Sequence, residues 1–154
     1  MAKWKVEGMD DYIRQLENIG QNADKTIKRA VYAGAGVVAD AARLALLSIA
    51  TDDDDYKEDG EIRRGPTTAE KNALIGGFGL ARMVNNNGYI NTKLGFRGKN
   101  VNGLNNSGVA RQIESGTSWM AKQPVISRAI NSSRSKCEQA MADAFDNEIK
   151  KFVN

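Results

Sequence analysis

Four groups of residues in this chain of 154 residues have types and spacings that could do chemistry. Gly34, Gly36 and Ala39 match the Gly-x-Gly-x-x-Ala fingerprint that lets a backbone approach a dinucleotide pyrophosphate. That chemistry needs a strand before the glycines, a helix starting at them and an acidic residue at the tip of a second strand. Helical periodicity instead runs straight through the glycines, and no apolar strand leads into Asp52. Close packing of small residues on one helix is the reading this supports. The second group, Asp52, Asp53, Asp54 and Asp55 with Asp59 and Glu61, offers oxygen ligands to a hard cation. If Gly60 filled the invariant glycine of an EF-hand, Lys57 and Pro66 would fall where ligands belong, so that motif is excluded. A solvated, self-repelling loop fits better, with Arg63 and Arg64 placed to neutralise it in cis or from an adjacent subunit.

Ser115, Thr117 and Ser118 form the third group, a hydroxyl cluster beside a turn. A serine nucleophile needs a base, and the chain contains no histidine, so Lys122 would have to serve. Nothing in the spacing fixes Lys122 in that role, and such hydroxyls commonly satisfy backbone donors or cap a helix. The fourth group is basic: Lys122, Arg128, Arg134, Lys136, Lys150 and Lys151. These are interleaved with acids, which describes a solvated helix face. Cys137 lies on an apolar stripe and reads as a small core residue. No cofactor, metal or catalytic residue is expected.

Composition narrows the class further. Charged residues make up 27% and hydrophobic ones 41%, which suits one folded domain over the whole chain. A net charge of +3 falls short of a dedicated nucleic-acid binder. With one cysteine no internal disulfide can form, and a reducing compartment is expected. The start, Met1-Ala2-Lys3-Trp4-Lys5, has no apolar h-region, so no secretory signal is expected. The most apolar stretch, Val31 to Leu47, is interrupted by Asp40 and Arg43 and reads as too short for a membrane span.

These groups must be carried by a few elements. Trp4 and Val6 alternate with polar neighbours, as in a short strand. A short helix capped by Asp10 or Asp11 follows and stops at Gly20, and a longer one runs from about Asn22 to Ser48. Thr51 to Pro66 has no periodicity and reads as an exposed, mobile excursion. A short helix is expected over Thr68 to Leu74. Phe78 to Val84 and Tyr89 to Phe96 are strand-like and are joined by Asn85-Asn86-Asn87-Gly88, whose Asn-Gly pair favours a tight hairpin. Arg97 to Gly108 reads as a loop, Val109 to Glu114 as a helical turn, and Pro124 opens a last helix to about residue 152. The expected fold is α+β: a small antiparallel meander, with its hairpin near 78–96, packed against helices at about 22–48 and 124–152.

Several segments together resemble the HK97 gp10-like family of tailed-bacteriophage proteins. Val6-Glu7-Gly8-Met9-Asp10-Asp11-Tyr12, with Gln15 and Leu16, is similar to the family's opening strand and helix. Ile75-Gly76-Gly77-Phe78-Gly79-Leu80-Ala81 and the hairpin Asn87 to Phe96 resemble its middle region. Most specific is Ile113-Glu114-Ser115-Gly116-Thr117-Ser118 followed by Gln123-Pro124-Val125-Ile126-x-Arg128-Ala129, which resembles the pattern V-E-[FYS]-G-T followed by P-x-x-P-F-[LV]-R-P-A. Two positions depart from it: Ala121 stands where a first proline is common, and Ile126 replaces the usual aromatic or leucine.

The resemblance implies a structural virion protein at the head–tail junction, a head–tail joining, tail-completion or tail-terminator-like component without catalysis. It implies rings, commonly hexamers, made in the host cytoplasm and seated in the neck or tail between the head connector or stopper and the tail tube, around a channel that passes DNA. No membrane is implied. The Thr51–Pro66 excursion and the Arg97–Gly108 loop are the expected contact regions, with Asp52, Asp53, Asp54, Asp55, Arg63, Arg64, Arg97 and Lys99 as contact candidates. Glu114, Gly116, Thr117, Gln123 and Pro124 are expected to be structural. The competing reading is a small basic nucleic-acid-binding module using the C-terminal helix.

Overall fold

The computed structural model of the chain describes residues 9–54, 58 and 60–153. The expected strand around Trp4 and Val6 lies outside the described residues, as does Asp55. The order is α1 (Met9–Ser48), α2 (Thr68–Gly77), β1 (Phe78–Leu80), β2 (Val84–Asn86), β3 (Tyr89–Asn91), β4 (Leu94–Phe96), α3 (Asn106–Ser115) and α4 (Val125–Val153). This is an α+β fold with two long helices, as the hydrophobic patterning suggests. Its β part is one hairpin among the described residues, not a meander.

Gly20 does not end a helix; α1 continues through it for 40 residues. One glycine costs a helix about 1 kcal/mol relative to alanine, too little to break a helix whose packing face continues on both sides. Asp11 lies inside the first turns and pairs with Arg14. By length and composition α1 also contains a stretch apolar enough to cross a bilayer, so length is no objection to a span. In this fold α4 lies antiparallel along it instead. Arg29 of α1 pairs with Glu148 near the end of α4, Gly34 faces Met141 and Cys137, and Leu46 and Ile49 share a core with Ile126 at the start of α4.

Small residues let the two helices approach. A Cβ on Gly34 would lie 2.4 Å from Met141 Cγ and 3.0 Å from Cys137 Sγ. The close-packing explanation therefore holds at Gly34. It fails at Gly36, where a Cβ would meet nothing within 4 Å. At the far end of α1 the core closes around Leu46, Ile49, Leu74, Val109, Ala110, Ile113, Met120 and Ile126, with Phe78 and Phe96 packed against it.

The hairpin is one continuous ribbon with an irregularity. Phe78, Gly79 and Leu80 face Phe96, Gly95 and Leu94, while Val84, Asn85 and Asn86 face Asn91, Ile90 and Tyr89. Three residues (81–83) oppose two (92–93) between these ladders, a β-bulge on the first arm. Asn87 (φ 52°) and Gly88 (φ 89°) make the two-residue turn that needs positive φ at both positions. Asn85 Nδ2 donates to Asp24 Oδ2, and Phe78 lies under the Arg43 guanidinium, so the ribbon runs back along α1.

The three α1 glycines should therefore respond differently. In urea unfolding, Gly20→Ala and Gly36→Ala are each expected to raise stability by about 0.5–1 kcal/mol. Gly34→Val should lower it by about 1–3 kcal/mol through overpacking against Met141. A stabilised Gly34→Val would contradict the packing described here.

Candidate functional site: a joint at the end of α1

An α-helix ends with carbonyls that lack intrahelical partners, and the last turns of α1 are met by side chains from distant parts of the chain. Lys71 Nζ donates to Leu47 O at 2.7 Å and to Ile49 O at 2.9 Å. The Gln123 amide reads Ala50 on both sides: Nε2 donates to Ala50 O at 3.0 Å, and Oε1 accepts from Ala50 N at 2.9 Å. The same Nε2 donates to Arg64 O at 2.9 Å, while Gln123 N donates to Ile113 O at 2.8 Å. One glutamine thus joins α1, the segment after it, α3 and the entry to α4. Gly65 makes the approach possible, because a Cβ there would lie 1.9 Å from Ala50 O.

Asp52 organises the other side. It is 3% exposed. Its Oδ2 accepts from Arg64 N at 3.0 Å, its Oδ1 from Asp54 N at 3.3 Å, and its own N donates to Pro66 O at 2.8 Å. Arg63 Nη2 donates to Asp52 O at 2.7 Å. Asp53 accepts from Thr68 N at 2.6 Å and from Thr68 Oγ1. These bonds hold its carboxyl below the ordinary carboxylate value, the side-chain bond contributing most. Thr67 and Glu70 complete a capping box at the start of α2.

Glu114, on the last turn of α3, caps α4. Its Oε1 accepts from Ile126 N at 2.6 Å, and its Oε2 from Ser127 Oγ at 2.7 Å and Ser127 N at 3.3 Å. A carboxylate beside exposed helix N–H groups also meets the positive end of the helix dipole. Pro124 precedes the first helical residue, where its missing N–H costs nothing. Gly116 takes φ +72°, with Lys122 against its Cα, and ends α3. Thr117 then closes a tight loop: its N donates to Met120 O at 3.0 Å and its Oγ1 accepts from Trp119 N.

The excursion expected to be mobile over Thr51–Pro66 is thus anchored at both ends. Asp52 and Asp53, expected as partner contacts, are engaged within the chain, and Asp52 is too buried to touch a neighbour. Arg63 and Arg64 also belong to the joint, the first through its guanidinium and the second through its backbone; the Arg64 side chain is exposed. Asp54, Arg97 and Lys99 are exposed. The Arg97–Gly108 loop ends earlier than expected, at Asn105, where α3 begins. Buried Asn106 ties it down through Nδ2 bonds to Ala73 O and Arg97 O. Asn100 shapes its turn by accepting from Asn102 N and Leu104 N. Lys71, Gly65, Asn100 and Asn106 are site residues that patterning misses. Only the Thr67-x-x-Glu70 box carries a short-range signal.

Among the described residues, no three acidic or cysteine side chains converge as a metal site. No hydrogen bond joins Lys122 to Ser115, Thr117 or Ser118, and the Thr117 hydroxyl is engaged with backbone, so these groups are not arranged as a nucleophile and base. The cations of α4 are partly paired, Arg134 with Glu138 and Lys151 with Glu148. Family models, curated proteins and solved structures gave no match to this chain.

Gln123→Leu removes three side-chain hydrogen bonds to backbone and is expected to lower unfolding stability by about 2–3 kcal/mol. Glu114→Ala, the loss of a cap, should cost about 1–2 kcal/mol. Unchanged urea midpoints in both variants would show that the joint does not hold the fold. Acid should act here too. The Glu148 carboxyl is lowered, mainly by Lys151 and then by Arg29, and Asp53 by Thr68. A carboxylate lowered by folding stabilises above its unfolded pKa, and that contribution is lost as pH falls through the folded value. The urea midpoint should therefore hold from pH 7 to about 5 and fall below about 4. Asp53→Asn with Glu148→Gln should flatten that fall.

Proposed function

We propose that this chain is a structural component of a tailed-phage virion at the head–tail junction, acting by assembly into a homo-oligomeric ring and not by catalysis. The carrying observation is what the residues of the most specific motif do. Glu114, Gly116, Gln123 and Pro124 cap, turn and bridge backbone, which is the work of a joining scaffold. None is presented to a substrate. The family resemblance and this structural use of the motif support the same reading.

The surface supports assembly. Large apolar side chains contribute to that surface, among them Leu16 at 49%, Leu44 at 69% and Tyr89 at 72% exposed. Exposed apolar side chains are what oligomer interfaces cover. Head connector or stopper proteins on one side and tail-tube proteins on the other are the partners this reading names, with the virion neck or tail top as its location.

Light scattering and negative-stain microscopy of the purified chain test the assembly part. Closed rings, alone or on mixing with connector or tail-tube protein, are the expected result. The biological part is tested in the phage or prophage that carries this reading frame. Ablating it should leave filled heads and separate tails, and infectious particles formed in its absence would overturn the proposal. Because Asp52 and Asp53 hold the joint, deletion of 52–59 would confound folding with assembly. The cleaner variant is Asp54→Asn with Glu58→Gln.

A further inference from the structure

Charge is unevenly distributed along this chain. Between Glu70 and Glu114 there is no acidic residue, while Lys71, Arg82, Lys93, Arg97, Lys99 and Arg111 all fall there. The net charge of +3 hides this, because the remainder of the chain is net negative. The acid-free span includes the whole hairpin. Lys71 is used at the end of α1, but Arg82, Lys93, Arg97 and Lys99 are exposed.

The hairpin has two unlike faces, because side chains alternate along each strand. Leu80, Ile90 and Leu94 turn toward Val31 and Val38 of α1. By that alternation Gly79, Gly95, Lys93 and Arg97 lie on the other face, and with Ala81, Leu94 and Phe96 they line a shallow trough. The trough continues past the bulge, where Arg82, Asn86 and Asn91 line it. The two parts, of about 290 and 230 Å³, share Ala81 and Lys93. Lys93 and Arg97 stand four residues apart on one strand, roughly 13 Å.

Gly79 and Gly95 lie directly opposite each other. Neither has positive φ, and a Cβ on either would meet nothing within 4 Å. Among the described residues nothing requires glycine there, and glycine weakens a strand interior. Such a pair in mid-ribbon leaves the backbone open to close approach by a partner.

We propose that this glycine-floored outer face of the hairpin receives the sugar–phosphate backbone of duplex DNA, with Lys93 and Arg97 on phosphates and Arg82 extending the contact. Cations strung along a ribbon, with no acid among them, suit a repeating polyanion better than a single anionic group. Asn86 and Asn91 add neutral donors of the kind that bond phosphate oxygens. A two-stranded ribbon is also narrow enough for the major groove. The inference is independent of ring formation and differs from a nucleic-acid role for α4.

The test is fluorescence anisotropy of a labelled 20-base-pair duplex with the full-length chain, at salt from about 50 to 200 mM. Binding should weaken steeply with salt. Lys93→Glu with Arg97→Glu should weaken it by about tenfold or more at the low-salt end and reduce the salt slope by roughly two. Lys136→Glu with Lys150→Glu, the same charge change on α4, should have a much smaller effect. Gly79→Thr with Gly95→Thr is the decisive pair: the melting temperature should hold or rise while DNA binding falls. A merely structural role for the glycines would move both in the same direction. The proposal is overturned if the wild-type chain shows no salt-dependent binding, if the α4 variant loses as much as the hairpin variant, or if the threonine pair binds normally. Parallel light scattering separates the remaining case. If the hairpin variants dissociate an oligomer while DNA affinity is unchanged, the face holds an acidic segment of a second copy and the DNA proposal fails; ring formation would survive it.

Discussion

The unsatisfied backbone at the C-terminal end of α1 governs how the rest of the chain folds. A long helix leaves its last carbonyls without intrahelical partners, and the buried Leu46 and Ile49 fix where the chain leaves α1. Side chains from distant segments then bond the backbone at this exit. Lys71 serves Leu47 O in the last turn and Ile49 O just beyond it, and the Gln123 amide serves Ala50 O. Since Gln123 also bonds Arg64 O and Ile113 O, meeting this need sets the path of the following segment, the place of α3 and the start of α4. Asp52 completes the arrangement by tying its turn to Pro66 and Arg64.

This dependence also explains what could be read from the sequence. The long helices, the hairpin and its turn are periodic or local features: apolar spacing for α1 and α4, and Asn87-Gly88 for the turn. Those expectations hold to within a few residues at most ends. The break expected at Gly20 does not occur, since one local penalty loses to a continuous packing face. Of the joint, only the structural segment from Glu114 to Pro124 was legible, through the resemblance; its partners were not, because its bonds run between residues 73 apart (Ala50 with Gln123) or 22 apart (Ile49 with Lys71). Asp52 illustrates the difficulty well. A run of four aspartates reads as solvated charge, yet the first is buried against backbone N–H groups and the second caps a helix. Composition describes the run as a whole, whereas the fold uses its members one at a time.

Glu114 and Gln123 belong to the segment on which the family resemblance chiefly rests, and both act on backbone. Residues that act this way are constrained by geometry and not by the chemistry of a substrate. Glu114 must reach three donors at the start of α4, and a shorter carboxylate would fall short. Gln123 must present both an acceptor and a donor to Ala50, which neither Glu nor Leu can do. A motif of this type is therefore constrained by the fold itself. It marks where the chain must be held so that its exposed surfaces keep a fixed relation to one another.

Rigidity of that sort fixes how the exposed surfaces of the chain are presented. The hairpin extends from the joint along α1, anchored at its base by Phe78 and Phe96 against the core and near its turn by Asn85 on Asp24. Both anchors sit on its inner side, so its outer face is held in place. A half-buried Gly79 opposite an exposed Gly95 would ordinarily invite flexibility, but the flanking pairs, Phe78 with Phe96 and Leu80 with Leu94, are packed inward and hold the ribbon's path. The cations on that face are thus presented on a fixed track, and their spacing is set by strand geometry instead of by flexible loops. Concentrating positive charge there, while the remainder of the chain carries the opposite balance, gives the molecule an orientation in the field of a polyanion. A chain of modest net charge can in this way present one definite face to a charged partner, and the end-of-helix joint is what holds that face in place.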